Sequence, residues 1–142
     1  MTGILVLVVA VVAALGFGLH RRLTDGDFAA PADEAPTTWT RLQAAVPDAR
    51  RGERATLVQF SSAFCAPCRA TRVVLADVAR REPGVEHVEV DAEQHLELVR
   101  ALDVRRTPTT LVLDGAGAEV GRAAGAPRRE QVLAALPPEP AR

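Results

Sequence analysis

Between residues 37 and 137 the chain alternates between two kinds of apolar pattern. In one, apolar residues recur every three or four positions, as in a helix with one buried face; in the other, they run continuously or at every second position, as in a strand. The predicted helices are residues 37–46, 68–82, 93–103 and 127–137, and the predicted strands are residues 55–60, 85–91, 109–114 and 118–125. Their order, α-β-α-β-α-β-β-α, predicts a three-layer α/β fold in which helices cover both faces of a mixed sheet.

The helix predicted over residues 68–82 carries eight apolar residues and four arginines. We expect its apolar residues to face the sheet and its arginines to face solvent. The residues expected to face inward are Val73, Val74, Ala76 and Val78. The Pro83-Gly84 pair should end this helix.

Ahead of this domain, residues 3–19 form an apolar run without a charged or strongly polar side chain. As a helix the run would be about 25 Å long at ~1.5 Å per residue, the short end of what crosses a bilayer. A cleaved signal peptide is the competing interpretation, but no basic residue precedes the run and the residues after it offer a poor cleavage site. We therefore expect a single-pass membrane anchor in residues 1–23, followed by a flexible linker, rich in Asp, Ala and Pro, over residues 24–36.

Arg21 and Arg22 directly follow the apolar run. Because arginine collects on the cytoplasmic flank of membrane helices, the pair predicts that the domain at residues 37–137 lies in the cytoplasm. The alternative is the opposite orientation, with the domain on the extracytoplasmic side. Residues 138–142 are expected to be a short tail.

The overall composition argues against several function classes. Of the 142 residues 48% are hydrophobic, which suits a globular core, and a formal net charge of −1 gives no reason to expect a nucleic-acid partner. Two cysteines are too few for a disulfide-rich scaffold. A zinc site would need two further ligands, and His87 and His95 lie on separate elements without ligand spacing. We expect neither a metal nor another cofactor.

Both cysteines, Cys65 and Cys68, lie in "QFSSAFCAPCRA", where a predicted strand gives way to a helix. A cysteine in the first turn of a helix lies near unpaired backbone N–H groups and the positive end of the helix dipole, which lowers its pKa and favours the nucleophilic thiolate. A second cysteine three residues later lies one turn on, within reach of the first. Pro67 fits the first helical turn without losing a hydrogen bond. The pattern favours two-electron exchange between a dithiol and a disulfide.

At these residues the chain resembles the thioredoxin family, over roughly Thr37 to Leu136. "FCAPC" is similar to the active-site motif of that family, and "RRTPT" is similar to its segment with a cis-proline. The resemblance implies a thioredoxin-like fold, a redox-active Cys65–Cys68 disulfide, an attacking thiol at Cys65 and a resolving thiol at Cys68. It also implies that an extended substrate binds beside the pair. The implied substrate-binding residues are Phe64, Ala66, Pro67, Thr107, Pro108 and Gly125.

Several residues depart from the family pattern or flank the motif, and these are candidates for tuning its chemistry. Phe64 stands where the family usually has tryptophan, and Ala66 where it usually has glycine. Gln59 occupies a strand position that commonly carries a buried aspartate in the family, and His87 stands near where a lysine is often found. Arg69 either tunes the neighbouring thiolate or is simply a solvated arginine.

The sequence therefore predicts a membrane-anchored thiol–disulfide oxidoreductase. Such an enzyme would reduce or exchange disulfides in protein substrates and would draw electrons from a thiol-reductant donor. The alternative is a redox-inert adaptor, which would use the groove at Pro108 to hold a partner protein at the membrane. The presence of both cysteines favours the enzyme.

Overall fold

The computed structural model describes residues 36–139 and, ahead of them, residues 3, 6, 9 and 11–14. The chain divides into two units, Met1–Ala35 and Pro36–Arg142. In the first unit the described residues are helical. The rest of the predicted anchor, the predicted linker apart from Pro36, and residues 140–142 of the predicted tail lie outside the described residues. Within the part of the chain that the structure describes, no helix is long and apolar enough to cross a membrane.

The second unit contains four helices and four strands in the predicted order. They are α1 (Thr38–Ala45), β1 (Ala55–Ser61), α2 (Ala66–Arg81), β2 (Val85–Asp91), α3 (Leu96–Ala101), β3 (Thr109–Asp114), β4 (Glu119–Ala124) and α4 (Arg129–Ala135). Thr37 caps α1, because its hydroxyl oxygen accepts a hydrogen bond from the backbone N–H of Thr40 at 3.2 Å.

The four strands form one mixed sheet in the order β2-β1-β3-β4. β1 runs parallel to β2, which it reaches through the crossover helix α2, and antiparallel to β3; β4 returns antiparallel beside β3. In this register Gln59 lies opposite Glu89 of β2 and Thr110 of β3. The central position of β1 explains why all seven of its residues are buried.

Each face of the sheet packs against its own hydrophobic cluster. One cluster is built from α1 and α3 with the sheet: Trp39, Leu42, Val58, Phe60, Val88, Val90, Leu98, Leu102, Val104, Leu111 and Leu113. The other is built from α2 and α4 with the opposite face: Ala55, Leu57, Leu75, Val78, Val85, Val112 and Val132. The predicted three-layer α/β arrangement, with helices on both faces of a mixed sheet, is confirmed.

One inward-facing residue predicted for α2 is wrong. Val73 is 69% exposed, while Val74 and Ala76 are partly buried and Val78 is fully buried. The buried side of the helix follows Cys68, Thr71, Leu75 and Val78, which recur at the three- and four-residue spacing of one helical face. Val73 is two residues beyond Thr71, a rotation of about 200°, and so points to solvent.

The β3–β4 turn depends on a glycine. Gly117 has a φ of +89°, and a Cβ atom added there would lie 2.4 Å from the Cβ atom of Trp39. The carbonyl oxygen of Gly117 also accepts a hydrogen bond from the backbone N–H of Trp39 at 3.0 Å. The turn therefore packs directly on the start of α1, and a side chain at residue 117 would separate them.

Candidate active site

Cys65 and Cys68 lie where β1 passes into α2 and are joined by a disulfide bond, with their Cα atoms 5.2 Å apart. Cys65 is the N-cap residue of α2, and its sulfur accepts a hydrogen bond from the backbone N–H of Cys68 at 3.1 Å. Pro67 occupies the first turn of the helix, where no N–H donor is needed. The two cysteines differ in exposure: Cys65 is partly exposed, whereas Cys68 is 1% exposed.

The surface around Cys65 carries the side chains for which the resemblance implies substrate contact. Phe64 is fully exposed, and Ala66 and Pro67 are exposed in the first turn of α2. An aromatic ring that is wholly exposed beside a reactive cysteine has no partner to bury it within the described residues, which is unusual for a large apolar side chain.

The Thr107–Pro108 segment lies beside the end of β1. The peptide bond between the two residues is cis. The Thr107 hydroxyl is 3.0 Å from the hydroxyl of Ser62, and the Pro108 carbonyl accepts a hydrogen bond from the backbone N–H of Gly125 at 2.8 Å. Gly125, just after β4, has a φ of +101°, and a Cβ atom added there would meet only Nη2 of Arg106, at 4.0 Å. The structure thus brings the motif, the proline loop and Gly125 to one end of the sheet.

Gln59 lies directly beneath Cys68 and is fully buried. Its amide nitrogen donates to the backbone carbonyl of Cys68 at 2.8 Å and to the hydroxyl of Ser61 at 2.9 Å. Because a carbonyl can only accept, these contacts fix the amide orientation, and the amide oxygen faces Nε2 of His87 at 3.2 Å. Burial lowers the pKa of His87, so the ring is neutral and Nε2–H donates to Gln59.

Ser61 continues this network towards solvent. Its hydroxyl donates to Oε1 of Glu89 at 2.7 Å, and the same carboxylate accepts two hydrogen bonds from Arg72, at 2.6 and 2.7 Å. Burial by itself would raise the pKa of Glu89, but the hydrogen bonds from Arg72 and Ser61 outweigh it and hold the pKa below its usual range. Glu89 is therefore ionised throughout the neutral range, although its side chain is only 28% exposed.

A polar cavity of about 440 Å³ opens beside the disulfide. Its wall includes both cysteines, two arginines of α2 and two carboxylates of β2: Cys65, Cys68, Arg69, Arg72, Glu89 and Asp91. Arg69, a predicted tuning residue, is exposed on this wall. Among the described residues no group of three or more histidine, cysteine or acidic side chains could hold a metal ion.

Ser61, Arg72, Glu89 and Asp91 did not emerge as candidate residues from the sequence. One signal was present: "VEHVEVD" alternates, so His87, Glu89 and Asp91 share a face of β2. The sequence does not give the register of β1 against β2. Only the pairing of Gln59 with Glu89 and of Ser61 with Asp91 places these carboxylates beside the motif.

Comparison with known proteins agrees with this geometry. The family model described as Thioredoxin matches residues 37–137. The chain belongs to the thioredoxin family. Accordingly it is a thiol–disulfide oxidoreductase, with Cys65 and Cys68 as its disulfide-capable pair. Its sheet and helices are those of a thioredoxin-like α/β fold.

Individual thioredoxins show how far the similarity extends. Thioredoxin H2-1 of Oryza sativa subsp. japonica is 30% identical over 106 residues, which are 74% of this chain and 73% of that protein. Thioredoxin H4-1 of the same subspecies is 29% identical over 93 residues, 64% of this chain and 70% of that protein. The X-ray structure of Fasciola hepatica thioredoxin matches with a TM-score of 0.54 and 25% identity, covering 70% of this chain and 90% of that one.

Proposed function

We propose that this thioredoxin-family enzyme is a membrane-anchored reductase of protein disulfides that acts through its Cys-Ala-Pro-Cys motif, residues 65–68. The unequal exposure of its two cysteines carries the proposal. Cys65 is partly exposed at the start of α2 and Cys68 is 1% exposed beneath it, so a bulky disulfide can approach only Cys65. Cys65 is therefore the attacking residue and Cys68 the resolving one.

The reaction proceeds in two exchanges. The Cys65 thiolate attacks one sulfur of the substrate disulfide, so a Cys65–substrate bond forms while the substrate S–S bond breaks and releases one thiolate. Cys68 then loses its proton and attacks the Cys65 sulfur, which breaks the mixed disulfide and releases the second thiolate. The substrate gains two electrons, its two thiolates take up the proton lost by Cys68 and one from solvent, and the enzyme is left as the Cys65–Cys68 disulfide. A dithiol donor must reduce that disulfide before the next turnover.

The helix start favours the attacking thiolate. In the structure the backbone N–H of Cys68 donates to the Cys65 sulfur at 3.1 Å, and the same N–H can donate to the thiolate of the reduced enzyme. The aligned dipoles of α2, sixteen residues long, add to this stabilisation at the N-terminus. Both effects lower the pKa of Cys65 relative to that of a cysteine in open chain.

The substrate is expected to bind as an extended segment across the surface formed by Phe64, the helix start and the Thr107–Pro108 loop. Ala66 and Pro67 present small, rigid side chains next to the attacking sulfur, and Gly125 leaves space at the far side of the loop. Exposed apolar surface of this kind suits protein substrates whose disulfides lie in unfolded or mobile segments.

Reduction of insulin by the enzyme with dithiothreitol as donor tests the proposed activity. Cys68→Ser should accumulate mixed disulfides with protein substrates, because attack survives and resolution does not. Cys65→Ser is the matched control and should trap far less. An enzyme that does not accelerate insulin reduction would favour the redox-inert adaptor, and equal trapping by both variants would show that the two roles are wrongly assigned.

The membrane part of the proposal is supported by the apolar run at residues 3–19 and by the arginine pair after it. With the domain on the cytoplasmic side, a C-terminal alkaline phosphatase fusion should be inactive and a C-terminal green fluorescent protein fusion should fluoresce. Moving Arg21 and Arg22 ahead of Gly3 should invert both results. Active phosphatase on the unaltered chain would instead make this an extracytoplasmic thiol enzyme, and recovery in the soluble fraction would contradict the anchor.

A further inference from the structure

The second exchange requires Cys68 to lose a proton at a buried position. Gln59 contacts Cys68 directly, because its amide nitrogen donates both to the Cys68 backbone carbonyl and to the Ser61 hydroxyl. A neutral amide cannot take a proton at physiological pH, so Gln59 cannot assist the step directly. Some other group must receive the proton, or resolution must wait for hydroxide.

We propose that Glu89 receives the proton of Cys68, through water in the cavity beside the disulfide, as Cys68 attacks the mixed disulfide. The role rests on the reduction mechanism proposed above. Glu89 is the register partner of Gln59, on the neighbouring parallel strand, and its carboxylate lines the same cavity as both cysteines. A polar cavity of about 440 Å³ has ample room for bridging water.

The other carboxylate on the cavity wall is already committed to a turn. Asp91 accepts hydrogen bonds from the backbone N–H of Glu93 at 2.9 Å and from the side-chain amide of Gln94 at 3.0 Å, one at each oxygen. Glu89 accepts from Ser61 at one oxygen and from Arg72 at both. Protonation of Glu89 gives up one hydrogen bond from Arg72, whose exposed side chain can turn to solvent, whereas protonation of Asp91 gives up one of the hydrogen bonds that hold its turn.

The charges around the cavity suit the transfer. When the proton moves, the negative charge passes from the Glu89 carboxylate to the Cys68 sulfur. Arg72 is four residues after Cys68 on α2 and lines the cavity, so it faces the negative charge before and after the step. Arg69 adds a second positive charge on the same wall, and His87, on the β2 side, stays neutral because burial lowers its pKa.

Single-turnover stopped-flow with the aromatic disulfide dithiobis(nitrobenzoate), at an excess of reduced enzyme, separates the two exchanges. The first coloured thiolate appears at a rate that depends on enzyme concentration and reports attack by Cys65. The second appears at a concentration-independent rate and reports resolution by Cys68. An enzyme that never releases the second thiolate would refute the exchange mechanism itself, which is distinct from a failure of Glu89.

For Glu89→Gln we expect resolution to slow about 10²-fold at neutral pH, with attack within about twofold of the unaltered enzyme. The slowed rate should rise about tenfold per pH unit until the thiol ionises, whereas the unaltered enzyme should be nearly pH-independent above the pKa of Glu89. Glu89→Asp should restore much of the rate and the flat profile. Glu86→Gln is the matched control, because it makes the same change at an exposed residue on the opposite face of β2.

Three results would overturn the assignment. One is an unchanged resolution rate and pH profile in Glu89→Gln. Another is equal slowing of both exchanges, which would mean that Glu89 only maintains structure. The third is a larger effect on resolution from Asp91→Asn than from Glu89→Gln, which would transfer the role to Asp91.

Discussion

Replacing Gln59 by glutamate exchanges a single NH₂ group for an oxygen at a fully buried position. That nitrogen now donates to the Cys68 carbonyl at 2.8 Å and to the Ser61 hydroxyl at 2.9 Å. An ionised glutamate would place a negative oxygen against the carbonyl, and Ser61 would have to leave Glu89 to donate to it. A protonated glutamate keeps the donor to the Cys68 carbonyl. The fold therefore selects the protonated form.

The loss in free energy of unfolding depends on the pKa of the new carboxyl group. A fully buried carboxyl has its pKa raised by about 3 units or more. Below about pH 4.3 it is protonated in both the folded and the unfolded chain, and the variant loses little stability. Above that pH the unfolded chain releases the proton and the folded chain does not, so the loss grows by about 1.4 kcal/mol per pH unit until the folded pKa is reached. We expect about 4 kcal/mol at neutral pH, a large part of the 5–15 kcal/mol typical of a domain.

Urea unfolding of the oxidised protein between about pH 4 and pH 8 measures this loss against the unaltered chain at each pH. Gln43→Glu is the matched control, because it makes the same change on the exposed side of α1 and should show no such slope. If Gln59→Glu is destabilised equally at acidic and neutral pH, the carboxyl does not titrate in a buried site and the assigned hydrogen bonds around Gln59 are wrong.

Two further predictions concern stability. Gly117→Ala should lower the free energy of unfolding by about 1–3 kcal/mol or more in urea titrations, because it combines a φ of +89° with a Cβ atom 2.4 Å from that of Trp39. Gly125→Ala has a φ of +101° but no close contact at its Cβ atom, so it should cost less stability. Equal losses in the two variants would contradict the steric argument. The unaltered protein should lose stability as pH falls through about 6.5, because the unfolded chain protonates His87 while burial keeps it neutral in the fold. His87→Gln keeps a donor to Gln59 and should remove that slope, so a persisting slope would assign it to another group.

The sequence predicted the elements that depend on local pattern. The four strands and four helices follow in the predicted order, and the cysteine pair lies at the start of α2, because periodicity and strand-to-helix transitions are read within a few residues. The prediction that Val73 faces inward was wrong for a related reason. Apolar residues occur on more than one side of this helix, so hydrophobicity alone does not fix the buried side, which includes Thr71 and Leu75 but not Val73.

The polar network around Glu89 could not be predicted from the sequence, because its residues come from different strands and helices. Ser61 and Glu89 are 28 residues apart and meet only because β1 and β2 pair in parallel with Ser61 opposite Asp91 and Gln59 opposite Glu89. Arg72 reaches Glu89 from α2, which crosses above both strands. A shift of one residue in that register would turn Glu89 to the other face of the sheet, and no local pattern specifies the register to that precision.

On the face beneath α2, the strands change from apolar to polar residues towards the motif. On β1 and β3 the change falls between the paired residues Leu57 and Val112, which are apolar, and Gln59 and Thr110, which are polar. On β2 it comes one pair earlier, because His87 is the partner of Leu57. The buried side of the helix changes in the same sense, from Leu75 to Thr71 and Cys68. Burial of the apolar part of this face fixes α2 on the sheet. Cys68 therefore packs against the polar part, whose side chains can form hydrogen bonds, and not against the hydrophobic core. Proton movement at Cys68 therefore takes place on the same rigid helix and strands that fix the fold, and substitutions in the polar part should alter pH dependence more than they alter the position of the cysteines.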